Sequence, residues 1–175
     1  MILEITKEER IENPFVALKI WKGLIDQELV TSNQIERYLG EKGVLAQVYG
    51  IPHIHKLVNL FSHYPQYHAI KKDKKKLWKK GLDIHFSQYG RSPDYLQITP
   101  IIKCTDVQEL RVKWNYKFDK AKVIPTVEIN EKELNEEDME CLAIYNGFKN
   151  TDRFFKYYPK PYRGRLIHWT TELYY

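Results

Sequence analysis

The chemistry-bearing charge of this chain is concentrated in ten residues. Residues 71–80 read KKDKKKLWKK, seven Lys and one Asp, a local charge of +6 within a 175-residue chain whose total is +5. Clustered ammoniums that neutralise phosphates release condensed counterions, which gives salt-sensitive affinity indifferent to base sequence. Lys71, Lys72, Lys74, Lys75, Lys76, Lys79 and Lys80 are the candidate phosphate contacts. Tyr67 and Trp78 border the run and could stack on bases, at about 1–3 kcal/mol per base; with His68 and His85 they are the candidate cleft residues. The competing reading is a solvated, mobile loop between two strands with Trp78 packed in the core. Arg163 and Arg165 alternate onto one strand face across Gly164. They either extend the basic surface or neutralise the acidic stretch at 131–140.

Other chemistries find less support. His53, His55, His63 and His68 lie within sixteen residues, with His85 beyond. Zinc needs three or four ligands in tetrahedral array, but His53 and His55 diverge by about 200° on a helix and no H-E-x-x-H spacing occurs. These histidines read as surface or half-buried groups. Cys104 sits among Ile101, Ile102 and Val107 and reads as core; Cys141, two residues from Met139, reads as structural. Two cysteines are too few for a disulfide framework. No G-x-S-x-G elbow or glycine-rich phosphate loop is present, and Glu136-Glu137 read as helix-start acids favoured by the dipole. Hence no catalytic residue, metal ligand or cofactor site is assigned.

Outside the lysine run the chain sums to −1; residues 128–140 carry −6 and residues 149–175 carry +4. The 24 aromatic residues, 13 Tyr, 7 Phe and 4 Trp, together with a basic balance raise the expectation of a nucleic-acid partner. Hydrophobic content of 43% and charged content of 29% are those of a globular chain. The opening MILEITKEERIE has no signal-peptide pattern, and no apolar run approaches 18 residues. These features predict a reduced, cytoplasmic setting with no membrane partner.

The elements that must position these groups follow from periodicity. Ile2, Leu3 and Ile5 predict a short strand, Asn13-Pro14 a break, and FVALKIWKGLI at 15–25 a strand. Ser32 or Asn33 can cap a helix over QIERYLGEK, shortened by Gly40 and Gly43. Ile54, Leu57, Val58 and Phe61 form one helical face. From residue 81 the period becomes two: LDIHFSQY, IIKCTDV, ELRVKWNYKF and KVIPTVEI read as strands, the last at an edge because of Pro125. Leu110, Val112, Trp114 and Tyr116 share a face. Asn135 caps a helix over NEEDMECLAIYNG with Met139, Leu142 and Ala143 inward; Thr151 can cap a second over TDRFFKYY; RLIHWTTELYY closes as a strand. This order predicts an α+β fold.

The succession YHAIKKDKKKLWKKGLDIHF, IIKCTDVQELRV, NEEDMECLAIYNGFKNTDRFFKYY and GRLIHWT resembles the ASCH superfamily, and within it the small ASCH-like proteins of phages and Bacteroidetes-like bacteria. The resemblance covers residues 67–175 and the opening segment. It implies a single domain over 1–175, a PUA-like mixed β-barrel with flanking helices, carrying a divergent helical insertion at about 26–66. It also implies an RNA or modified-nucleoside ligand in a cleft between barrel and helix. Hydrolytic relatives use a Lys and a Thr on a K-T-x-T-I-R strand and a later Glu. Here Gln66 and Ala69 stand at the first two positions, the Glu would fall near Lys103, and Lys71 replaces the Arg. The acylcytidine hydrolase activity is therefore not carried over, and the reading leans away from an enzyme. The remaining alternatives are a divergent nucleotide or RNA hydrolase using His68, His85 or His168, and a phage accessory protein that binds a host protein in the host cytoplasm through its acidic helix and insertion.

Overall fold

The structure, a computed structural model, describes residues 1–5, 15–52, 54–61, 65–88, 93–117, 122–171 and 175. It is α+β. A helical stretch of α1 (Val16–Asp26), α2 (Ser32–Leu39), α3 (Val44–Tyr49) and α4 (Ile54–Val58) precedes most of the strands, and α5 (Glu136–Tyr145) and α6 (Thr151–Tyr157) come just before the last. One sheet pairs β1 (Ile2–Glu4) parallel to β3 (Asp83–Gln88), with β4 (Leu96–Gln97) and β5 (Ile102–Lys103) on the other side of β3. The other runs β2 (His68–Lys71), β9 (Tyr162–His168), β6 (Asp106–Lys117), β7 (Lys122–Ile129), β8 (Lys132–Glu133). Among the described residues no helix is long and apolar enough to cross a membrane.

The expected barrel is not closed: the described strands form two sheets. The reason lies at residues 102–106. Ile102 pairs with Ile84, but the Thr105 amide already donates to His168 O at 2.9 Å. The chain changes partner from β3 to β9 within three residues, so β3 and β9 share this corner instead of a ladder.

Residues 15–25 are the clearest correction. The run expected as a strand is α1, because Val16, Ala17, Ile20, Trp21 and Leu24 recur at helical spacing and are all buried. Its Val and Ile content signals burial more than conformation; an apolar run of this length fits a helix better than a strand. The next helix is capped one residue earlier than expected: Thr31 Oγ1 accepts from the Gln34 amide and Gln34 Oε1 from the Thr31 amide, a capping box. Asn150, not Thr151, caps α6, its Oδ1 accepting from the Arg153 amide at 3.0 Å. Asn135 caps α5 as expected. The expected face at 54–61 becomes α4 plus a 3₁₀ turn, Asn59–Phe61. Asn13-Pro14 and the side chain of Tyr116 lie outside what is described.

Two clusters of buried side chains result. One joins α1–α4 to β1 and β3 through Trp21, Leu24, Leu39, Leu45, Ile84 and Phe86. The other joins the larger sheet to α5 and α6 through Leu110, Val112, Val127, Leu142 and Phe154. Strands β2 and β9 serve both: Ala69 and Ile167 face the first, Ile70 and Leu166 the second.

Gly23 allows α1 to approach the start of β2. A Cβ there would lie 2.2 Å from the carbonyl oxygen of Gln66, a backbone atom that cannot swing aside. Overpacking of this kind costs about 1–3 kcal/mol, against a helix-propensity gain of about 1 kcal/mol for Ala over Gly. Gly23→Ala should therefore destabilise the fold, seen as a lower urea midpoint with unchanged slope; a raised midpoint would show that the close approach is not a constraint.

Candidate nucleic-acid interface

The larger sheet has α5 and α6 on one face. On the other, period-2 geometry brings out the polar residues of β6 and β9. The register sets Glu109 opposite Arg165 and Arg111 opposite Arg163. Arg163 Nη2 donates to Glu109 Oε2 at 3.2 Å; Arg165 Nη1 and Arg111 Nη2 stand 3.6 and 3.7 Å from the same carboxylate. Lys76 Nζ completes the group at 3.1 Å. The Lys76 ammonium first, and Arg163 next, hold the Glu109 carboxyl below the usual carboxylate range, so it is ionised at neutral pH. One carboxylate is shared among four cations. Among the described residues Arg163 and Arg165 pair with Glu109, while the acidic stretch enters the same cluster through Glu131, whose Oε1 accepts from Arg111 Nη2 at 3.4 Å.

Lys76 arrives there because the β2–β3 connection folds back across β9. Asp73, the one acid in the run, organises this fold: its two carboxylate oxygens accept from the amides of Leu77 and Trp78, each at 2.9 Å. Lys76 closes the turn by donating its amide to Asp73 O at 3.0 Å and adopts φ +51°. Trp78 is 6% exposed and belongs to the first core cluster. It anchors the loop from beneath and offers no open ring face for a base. Tyr67 is likewise buried, its ring 4.8 Å from that of Tyr145. The stacking role expected of both is thus not what their packing provides.

Beneath the loop lies a cleft of about 350 Å³, walled by Asp73, Lys74 and Lys76 on one side and Glu109, Arg163, Gly164 and Arg165 on the other. Four cations face two carboxylates, and both carboxylates are already engaged. Arg165 Nε is buried and makes no hydrogen bond among the described residues. The remaining lysines disperse. Lys71 Nζ donates to Glu4 O at 2.9 Å, Lys72 Nζ stands 5.9 Å from the Tyr162 ring centre, and Lys75, Lys79 and Lys80 are exposed. Glu109 and Arg111 were missed in the sequence. Their signal was the alternation with buried Gln108, Leu110 and Val112, but alternation alone does not say which strand lies opposite.

The histidines part company. His53 and His63 lie outside the described residues, His55 is exposed and His85 half-buried. Among the described residues no cluster of three His, Cys, Asp or Glu side chains could hold a metal. His68 and His168 are opposite each other in the β2–β9 ladder, ring centres 5.2 Å apart, and almost fully buried. His168 Nε2 shares a 2.7 Å hydrogen bond with Gln108 Oε1, which makes Nε2 the protonated nitrogen; Nδ1 is buried with no partner among the described residues. The Tyr175 hydroxyl lies 2.9 Å from His68 Nε2. Burial, then the neighbouring His168, drives His68 well below the ordinary imidazole value. Burial lowers His168 to about 4, opposed by Asp106. Both rings are neutral at pH 7 and closed off from solvent. Cys104 is buried, and desolvation raises its thiol to about 11, the opposite of an activated nucleophile.

The unfolded chain protonates its imidazoles near pH 6.5, whereas the folded rings resist protonation. The stability contributed by their neutrality is fully present above about pH 6.5 and is lost as pH falls toward the folded value. For His168, at about 4, the loss reaches about 3 kcal/mol. Urea denaturation at about pH 7 and about pH 4.5 should show it, with a shallower pH dependence in His168→Gln; an identical slope in that variant would remove His168 from the account. Comparison of the chain with family models, with characterised proteins and with solved structures gives no significant match.

Proposed function

We propose that this chain binds nucleic acid, RNA foremost, through phosphates held in the cleft under the lysine loop. The observation that carries this reading is the convergence of Lys74 and Lys76 with Arg163 and Arg165 on one cleft, where the two carboxylates found among the described residues are engaged by the loop backbone or shared among several cations. Exposed ion pairs contribute little to stability, and gathering so many cations on one side of a sheet is unfavourable unless an anion joins them. Phosphodiesters suit the arrangement, since guanidinium forks match their paired oxygens. The cleft is lined by cations and not by open rings, which favours contacts to the backbone over contacts to bases.

The fold reading that accompanies this is a divergent ASCH-type, PUA-like domain acting in the cytoplasm. It is supported by the α+β architecture and by the order of motifs from His68 to His168. Binding without turnover is the simpler reading, because His68 and His168, the acid–base candidates nearest the sheet centre, are buried and neutral.

Anisotropy titrations of a labelled mixed-sequence single-stranded RNA at several salt concentrations test this. Lys74→Gln with Arg163→Gln, both surface changes, should weaken binding on the order of tenfold at low salt. The slope of log K against log salt should shrink by roughly 1.4, at about 0.7 per lost phosphate contact. Glu109→Gln should act in the opposite sense, raising affinity and steepening the slope, because it releases cations. Equal affinity and slope for wild type and the double variant would dismiss the cleft as the binding site.

A further inference from the structure

The lysine loop and α5 carry opposite charge on opposite faces of the larger sheet. Residues 71–80 sum to +6, and α5 holds four acids and no base. The loop lies on the face where Lys76 meets Glu109, whereas α5 packs on the other face through Leu142, so the two do not pair within one molecule. We propose that the loop tip of a second copy of this chain docks into an acidic groove between β7, α5 and α6, so that copies associate head to tail.

The groove has a volume of about 420 Å³. Ile124 and Pro125 of β7, Met139 of α5 and Phe155 of α6 make its apolar wall, and Glu136, Glu140 and Asp152 supply its charge. Among the described residues its lining contains no Lys or Arg. Glu140 is engaged: its Oε2 accepts from the Thr151 amide at 3.0 Å and the Thr151 hydroxyl at 2.9 Å, which fixes α6 against α5. Glu136 and Asp152 are exposed and make no ion pair among the described residues. The Cys141 thiol beside them is raised by burial first, then by Glu137, Asp138 and Glu140, a sign of negative charge left uncompensated. Strand β8 pairs with β7 only at Glu128 and Ile129, so among the described strands the sheet edge beside Ile124 and Pro125 is open to a partner.

The loop tip has the complementary make-up. Leu77 is 54% exposed, and Lys75, Lys79 and Lys80 around it are exposed and make no ion pair among the described residues. One exposed Leu is ordinary, but here it stands among ammoniums, as the apolar wall of the groove stands among carboxylates. The Asp73 carboxylate holds the Leu77 and Trp78 amides, so the tip is already shaped and little ordering is needed on docking. A contact between two different surfaces leaves a free loop at one end and a free groove at the other, so assemblies lengthen with concentration instead of stopping at two. One loop in one groove is smaller than a stable interface, which makes the association weak and sensitive to salt. It does not depend on nucleic-acid binding, although a strand lying along the loop would compete with it.

Sedimentation velocity of the full chain over a concentration series tests this. At low salt the mean mass should rise with concentration, with a midpoint on the order of 100 μM, and the rise should vanish near about 0.5 M salt. Lys75→Gln with Lys79→Gln, or Glu136→Gln with Asp152→Asn, all surface changes, should each weaken association on the order of tenfold, as should Leu77→Ser. Mixing the two neutralised double variants should restore a 1:1 complex and nothing larger, because the intact loop of one meets the intact groove of the other. Carbodiimide cross-linking of mixed heavy- and light-isotope wild-type chains should join a loop lysine of one copy to Glu136 or Asp152 of another. A wild-type chain that stays monomeric at every concentration overturns the proposal, even if the groove takes up a foreign basic peptide such as polylysine. So does association that both double variants retain, or a mixture of them that gives no complex.

Discussion

Strand β9 is held from both sides, by β2 through four residue pairs and by β6 through seven, and most of the molecule's organisation follows from that double pairing. Its alternating residues enter two different cores, Ile167, with Trp169 just past the strand, toward α1–α4 and Leu166 toward α5 and α6. A slip of one residue would send each of these side chains to the wrong cluster. The same register puts His168 beside His68, Arg165 opposite Glu109 and Gly164 under the β2–β3 connection. Gly164 has no spare room: a Cβ there would lie 2.9 Å from Lys71 O and 2.6 Å from the Tyr162 ring.

The two ends of one sheet face have opposite characters for the same reason. Near the corner at 102–106, this face is covered by the first core and carries Ala69, Val107 and Ile167. A few residues along each strand the cover ends, and the face carries Glu109, Arg111, Arg163 and Arg165. The lysine loop bridges this boundary. Trp78 is buried in the apolar part while Lys76 reaches the ionic part, so hydrophobic anchoring positions a charge that solvation by itself would leave in water.

Much of this was legible in sequence. The strand periods over LDIHFSQY and ELRVKWNYKF, the N-cap at Asn135 and the break at Asn146-Gly147 depend on nearest neighbours, and local geometry enforces them; the expected strand IIKCTDV instead breaks at 104–105, its last residues opening β6. The run at 15–25 misled because β-branched residues serve a buried helix as readily as a buried strand once both faces are covered. The lysine run stands out in sequence as the main electrostatic feature, but there Asp73 counts only as one opposing charge, whereas in the fold it shapes the loop. The sequence leaves Trp78 open to both stacking and core packing, because adjacency to lysines says nothing about which way an indole points.

The sequence by itself determined which residues carry charge, where strands alternate, that a helix begins after Asn135, and that the basic groups are clustered and not spread. Only the tertiary structure decided which of them act together. Lys76, Glu109, Arg111, Arg163 and Arg165 are separated by up to 89 positions and meet through strand register and a loop folded over a buried Trp. Lys19 reaches the carbonyl of Gly147, 128 positions away, because α1 packs beside the α5–α6 turn. Charge is a property of each residue, whereas proximity is set by cooperative burial of the apolar residues between them, which no local pattern encodes.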